Sequence, residues 1–257
     1  EKMGRLERTG RVWEMWNSDE PVHLPSRDPL YVSIPFALIR AGADWLGLFL
    51  DVPGRHYWDT RTAGRITFDI EDEYLDLYLL SGADPTEVLA GYAELTGKPP
   101  LPPLWALGYH QSRYSYYPED NVRELARRFR EEELPGDVIH LDIDYMRGYR
   151  VFTWDPDRFP DPATLTRELR ELGFRVVTIV DPGVKVDEEY EVYREGEKRG
   201  YFCRRPDGGS YVGAVWPGRA VFPDFSREEV RRWWGEQHAA LLEAGVSGIW
   251  NDMNEPA

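Results

Sequence analysis

Apolar positions in the first third of the chain fall in short runs, at residues 31–36, 45–50, 65–69 and 75–80, separated by Gly42, Pro53-Gly54, Gly64 and Gly82. Runs of this length between turn formers predict short strands packed sheet on sheet, as in a sandwich. The period then changes. Asp84-Pro85-Thr86-Glu87 opens a helix expected to run to Leu95, with Asp84 as cap and Pro85 in the first turn. Residues 97–103 hold Pro99, Pro100, Pro102 and Pro103, which can continue neither a helix nor a central strand, so they mark a linker. Beyond it, apolar strands are predicted at residues 104–110, 138–142, 174–180 and 246–250. Helices are expected between them at about 119–132, 161–172 (with Pro162 in the first turn) and 226–244. A long connection before the last helix carries a hairpin-like Pro206-Asp207-Gly208-Gly209-Ser210. Strand, helix, strand, helix with apolar strands is the pattern of parallel β/α architecture. Four units make half of an eight-fold barrel or most of a doubly wound sheet. Half a barrel exposes two open edges, so the sequence, which stops at Ala257, is expected to belong to a larger protein.

Composition narrows the function classes. The formal charge of −15 opposes nucleic acid and anionic membrane surfaces as partners. Ten Trp and fifteen Tyr suit a site that stacks rings on sugars, and equally a large core. Cys203 is the only cysteine, which rules out an intrachain disulfide and a thiolate zinc framework. No apolar run reaches membrane-spanning length and no apolar leader follows Glu1. A cytoplasmic location is expected, with secretion left open because a chain opening on Glu need not show its native start.

In β/α folds functional groups collect at the C-terminal strand ends. The first predicted strand ends in His110-Gln111-Ser112-Arg113-Tyr114, the second in Asp142-Ile143-Asp144, the third in Asp181-Pro182 and the fourth in Asp252-Met253-Asn254-Glu255. Asp142 and Asp144, two apart on a strand end, are expected to point to opposite sides, with at most one toward the barrel axis and the other structural. Asp181-Pro182 could equally open a turn. Glu255 could pair with Asp252 in catalysis or only orient the loop. The five histidines, at 23, 56, 110, 140 and 238, are scattered in sequence, so no metal site is expected from them. No glycine-rich phosphate loop and no Gly-x-Ser-x-Gly elbow opens any unit, which weakens nucleotide-binding and serine-hydrolase readings.

The peptide Gly248-Ile249-Trp250-Asn251-Asp252-Met253-Asn254-Glu255 resembles the nucleophile segment of glycoside hydrolase family 31, the retaining α-glucosidases. Further matches fall in order along the chain. They are Trp16-Asn17-Ser18-Asp19, residues 28–36, Gly108 to Tyr114, Asp142 to Met146, Asp181-Pro182, Trp216-Pro217-Gly218 and Phe222-Pro223-Asp224. The resemblance implies an α+β two-domain chain. Residues 1–98 would be part of an N-terminal β-sandwich domain. Residues 99–257 would be the first four β/α units of a (β/α)8 TIM barrel, with an insertion at about 183–225.

It also implies roles. Asp252 would attack the anomeric carbon of a terminal α-glucoside and form a covalent glycosyl-enzyme. Asp142 would bind hydroxyls of the same sugar. Trp216, Trp250 and Met253 would wall the pocket, with Tyr114, Ile143, Val180 and, from the sandwich, Asp19 as further contacts. Family members acting on α-xylosides tend to carry bulkier residues at the position of Ile143, so a glucoside is favoured. No cofactor or metal is implied. The acid/base carboxyl is expected on a later barrel strand, in the same or another chain, and residues 1–257 alone are expected to lack significant glucosidase activity. Alternatives within reach of these motifs are an inactive or split carbohydrate-binding partner subunit, and a family member with lyase or transglycosylase activity.

Overall fold

The computed structural model describes residues 8–18, 22, 24 and 31–253, and the chain divides into two compact units, Glu1–Pro100 and Leu101–Ala257. Among the described residues no helix is long and apolar enough to cross a membrane.

The first unit contains two three-stranded antiparallel sheets. One has the order β1 (Val12–Met15), β4 (His56–Asp59), β5 (Thr67–Ile70), and the other β2 (Phe36–Ala41), β3 (Asp44–Leu50), β6 (Leu77–Gly82). Trp13 and Trp58 from one sheet pack with Leu48 and Leu50 from the other, and Ala37, Ile39, Phe68 and Ile70 extend that core. This is a sandwich held by alternate inward residues. The helix α1 (Pro85–Thr96) covers the other face of β3. There Phe49 meets the rings of Tyr78 and Tyr92, and Val88 sits so close that a Cβ on Gly47 would lie 2.4 Å from it. Being covered on both faces explains why β3 reads as an unbroken apolar run instead of an alternating one. Asp84 caps α1 by accepting from the Thr86 and Glu87 amides, as its position before Pro85 predicts.

Two strand assignments in this unit shift. Residues 31–35 form no strand. Pro35 has no N–H to give a ladder, so pairing starts at Phe36 and extends through Arg40 to Ala41. β1 and β4 are four residues each and escape the apolar-run criterion because their outward positions are polar or half-buried.

The second unit holds a parallel four-stranded sheet in the order β13 (Gly248–Asn251), β9 (Arg175–Val180), β8 (Val138–Leu141), β7 (His110–Gln111). The helices α2 (Glu119–Glu131), α3 (Pro162–Glu171) and α5 (Glu228–Gln237) bury Val122, Leu165, Leu169, Val230 and Trp233 together with Ile139, Leu141 and Val176 of the strands. Residues of alternate phase, His140, Val177 and Gly248, share a register row and point to the opposite face. Consecutive parallel strands joined through helices on one face match a partial barrel, with α3 capped by Asp161 on the Thr164 amide.

Between β9 and α5 the insertion forms a small antiparallel sheet, β10 (Val184–Lys185), β12 (Gly218–Val221) and β11 (Gly213–Val215), beside α4 (Glu191–Arg199). The Pro206–Ser210 stretch does turn back on itself, through an Arg204–Ser210 bridge.

Two further expectations are corrected. Residues 104–107 form a 3-10 turn closed by bonds to Pro103 and Trp105 carbonyls, and the first strand shrinks to His110–Gln111. Leu104 and Leu107 are 86 % and 67 % exposed, so the apolarity of this segment does not report a buried strand, and Trp105 turns inward, against Gly248. The expected helix 226–244 breaks at His238 into α5 and α6 (Ala239–Leu242), where bonding tightens from the Gly235 carbonyl onward.

Candidate active site

The strand ends of the parallel sheet carry the carboxylates. β8 ends at Leu141, and Asp142 caps a 3-10 turn (Ile143–Tyr145) by accepting from the Ile143 amide at 2.7 Å. Residues two apart in a strand share a side, so strand geometry would not part Asp142 from Asp144 as expected, and here the chain has already left the strand. The turn separates them nonetheless. Asp144 is 5 % exposed and ion-paired with Arg158 at 3.0 Å, a structural role. The turn is fixed to β9 by the buried Tyr145, whose hydroxyl donates to the Ile179 carbonyl at 2.8 Å.

Burial is the main reason the Asp142 carboxyl is pushed above its ordinary value. The Ile143 amide opposes that shift, and the charges of Asp144 and Asp252 add to it. That last contribution ties Asp142 electrostatically to Asp252. Asp252 follows β13 directly, with its amide donating to the Val180 carbonyl at 3.3 Å. Asp252 and Val180 line one cleft of about 390 Å³ with Pro182, Asn251, Phe225, Trp234 and His238. Met253, next in the chain, has φ 64°. This left-handed conformation disfavours a side chain by roughly 1–2 kcal/mol, and such strain gathers at functional turns. Asp181 is buried at the end of β9.

The aromatic candidates come together in two groups. Trp216 sits at the tip of the β11–β12 hairpin, 51 % exposed, with its ring centroid 6.3 Å from that of Tyr114. Trp250, on β13, stands edge-on to His140 at 5.9 Å. Ile143 and Val180 are each 2 % exposed and pack in the main core. Tyr114 also lines a separate cleft of about 870 Å³ along α2, away from Asp252. Asp19, Asn254 and Glu255 lie outside the described residues. Among the described residues no group of three His, Cys, Asp or Glu side chains is placed to hold a metal ion.

Sequence reasoning missed one pairing. His110 and His140, scattered in the chain, face each other with Nδ1 of the first 3.0 Å from Nε2 of the second. A signal existed: His140 precedes Asp142 by two, which puts it on the same side of β8.

Comparison with known proteins gives a consistent set of likenesses. The model for the glycosyl hydrolases family 31 TIM-barrel domain matches residues 99–257. The glycosyl hydrolase 31 N-terminal galactose mutarotase-like domain matches residues 1–59. Alpha-glucosidase 2 of Bacillus thermoamyloliquefaciens is 49 % identical over 259 residues, covering 100 % of this chain and 33 % of that protein. The alpha-glucosidase of Saccharolobus solfataricus is 40 % identical over 258 residues, covering 100 % and 37 %. The solved family 31 alpha-glucosidase from Bacteroides thetaiotaomicron superposes with a TM-score of 0.87 at 38 % identity, over 99 % of this chain and 44 % of that one. A Flavobacterium johnsoniae GH31 dextranase solved with isomaltotriose gives 0.87 at 32 % identity, over 100 % and 32 %. The chain spans about a third of the length of the curated relatives it matches.

Proposed function

The chain belongs to glycoside hydrolase family 31, and on that premise we propose that it supplies the nucleophile half of a retaining α-glucosidase site. In this reading Asp252 attacks the anomeric carbon of a terminal α-linked glucose. The glycosidic C–O bond breaks as the ester forms, and the leaving oxygen takes a proton from a carboxylic acid on a further barrel strand, in the same or another chain. That acid then acts as base for the water that cleaves the ester, with net retention. Asp142 holds hydroxyls of the same sugar. Trp216, Trp250 and Met253 supply the apolar wall, and Val180, which lines the cleft with Asp252, adds a further contact.

One observation carries most of this reading: the charge of Asp252 acts on a partly buried Asp142 whose carboxyl is already raised by burial. Two carboxylates at the C-terminal ends of β8 and β13, one strand apart on the same parallel sheet, suit a ligand rich in hydroxyls, which can donate to both. A neutral sugar relieves neither charge by pairing, so hydroxyl donation is the chemistry available. The test is mechanism-based trapping with 5-fluoro-α-glucosyl fluoride in the enzyme assembled with its remaining barrel strands. A glucosyl ester is expected on Asp252 and is lost in Asp252→Ala. An adduct mapped to any other residue would overturn the assignment.

A further inference from the structure

His110 and His140 belong to no role assigned so far, yet they sit on the face of the sheet that carries Asp142 and Trp250. Their hydrogen bonds restrict where protons can be. His110 Nε2 lies 3.2 Å from the Ala106 carbonyl, an acceptor only, so this nitrogen carries a hydrogen. The 3.0 Å contact between His110 Nδ1 and His140 Nε2 holds one hydrogen and not two. With both rings neutral, His140 donates from Nε2 to the bare His110 Nδ1. One added proton can be accommodated in two ways. It can make His110 an imidazolium that donates to a neutral His140 carrying its hydrogen on Nδ1, or it can make His140 the cation, still donating to His110. A second proton would set two N–H groups and two positive charges against each other, and the rings must part.

The consequence reaches the sugar pocket through Trp250, whose indole stands edge-on to His140 at 5.9 Å and 73°. We propose that His110 and His140 share a single proton as one unit, and that this unit fixes the Trp250 indole in the orientation that walls the sugar subsite. The second half rests on the α-glucosidase reading above; the first does not. His140 is thereby a positioning residue, acting through Trp250 without touching substrate.

The surroundings favour such sharing. Val177 of β9 and Gly248 of β13 lie in the His140 register row, with Trp105 of the 104–107 turn against Gly248, and none of them titrates. The charged groups on the neighbouring elements are Asp142, Asp181 and Asp252 at the strand ends and Asp137 and Arg175 at the strand starts. Burial pushes the His140 imidazole below its ordinary value, and the His110 charge adds to the shift.

Imidazole NMR of the 257-residue chain tests the sharing. Between about pH 8 and 5 the pair is expected to take up one proton in total, with both rings reporting a common midpoint. In His110→Gln the His140 midpoint moves up, because a charge has been removed. Fluorotryptophan labelling, with the Trp250 signal assigned by Trp250→Phe, is expected to show that resonance moving only when the second proton enters. Two independent protonations complete above about pH 5, with the Trp250 resonance stationary, would overturn the proposal. In the assembled enzyme, His140→Leu is expected to raise KM about tenfold with kcat changed less than about twofold. His140→Gln, which keeps an N–H toward His110, recovers most of that loss; equal KM effects of the two variants count against positioning. A pair that titrates as one in a protein that takes no glucosyl adduct sustains the sharing and removes only the pocket reading.

Discussion

Asp142 is a residue whose surroundings oppose its own charge. Its carboxyl is raised because burial, aided by Asp144 and Asp252, disfavours the charged form. For a carboxyl raised in the folded state the unfolded chain loses its proton first as pH rises. The stability penalty is therefore absent below the ordinary value of 3.8 and grows as pH climbs above it. Asp142→Asn keeps an oxygen for the Ile143 amide and removes the charge. It is expected to raise the thermal midpoint at pH 7, with the gain vanishing below pH 3.8, while abolishing glucosyl transfer. Scanning calorimetry at both pH values checks this, and a lower midpoint at pH 7 would show that Asp142 is stabilising. His140 runs the other way. Its imidazole is depressed, so its contribution is full above the ordinary value of 6.5 and is lost as pH falls below it. Both residues were visible as residue types in the sequence. Their electrostatic surroundings were not, because those come from Asp252 and His110, each on another strand.

At the level of elements, caps and breakers were legible and apolar runs less so. Asp84-Pro85 and Asp161-Pro162 start helices where their local chemistry requires, since a cap is satisfied within four residues of itself. The run at 104–107 misled because apolar character does not say what will cover a segment. Gly245 illustrates a tertiary demand on one position between α6 and β13. Its φ is 88°, and a Cβ there would lie 2.5 Å from Thr166 Oγ1, which itself donates to the Ala244 carbonyl. Gly245→Ala is expected to destabilise the chain by on the order of 2 kcal/mol. In urea denaturation the midpoint should fall with the slope unchanged; an unaltered midpoint would mean that the turn relaxes freely.

For the whole molecule, the charge of −15 constrains partners more than mechanism. A neutral glucoside neither gains nor loses from that field, so its binding is expected to change less than about twofold between about 50 and 500 mM salt. Equilibrium binding at the two salt concentrations checks this, and a steep salt dependence would point to a charged ligand instead. The sequence by itself determined the succession of a β-rich segment, a proline linker and alternating β/α units, because periodicity and turn chemistry are local. It also determined the family, through ordered motifs around Asp142 and Asp252. Only the tertiary structure decided which strand-end residues act on one another. It turned Asp144 to Arg158, set Trp216 against Tyr114 from a distant hairpin, and paired His110 with His140 across two strands. Those contacts join residues that are far apart in the chain. No local pattern encodes a distance of that kind; strand register and the path of the insertion set it.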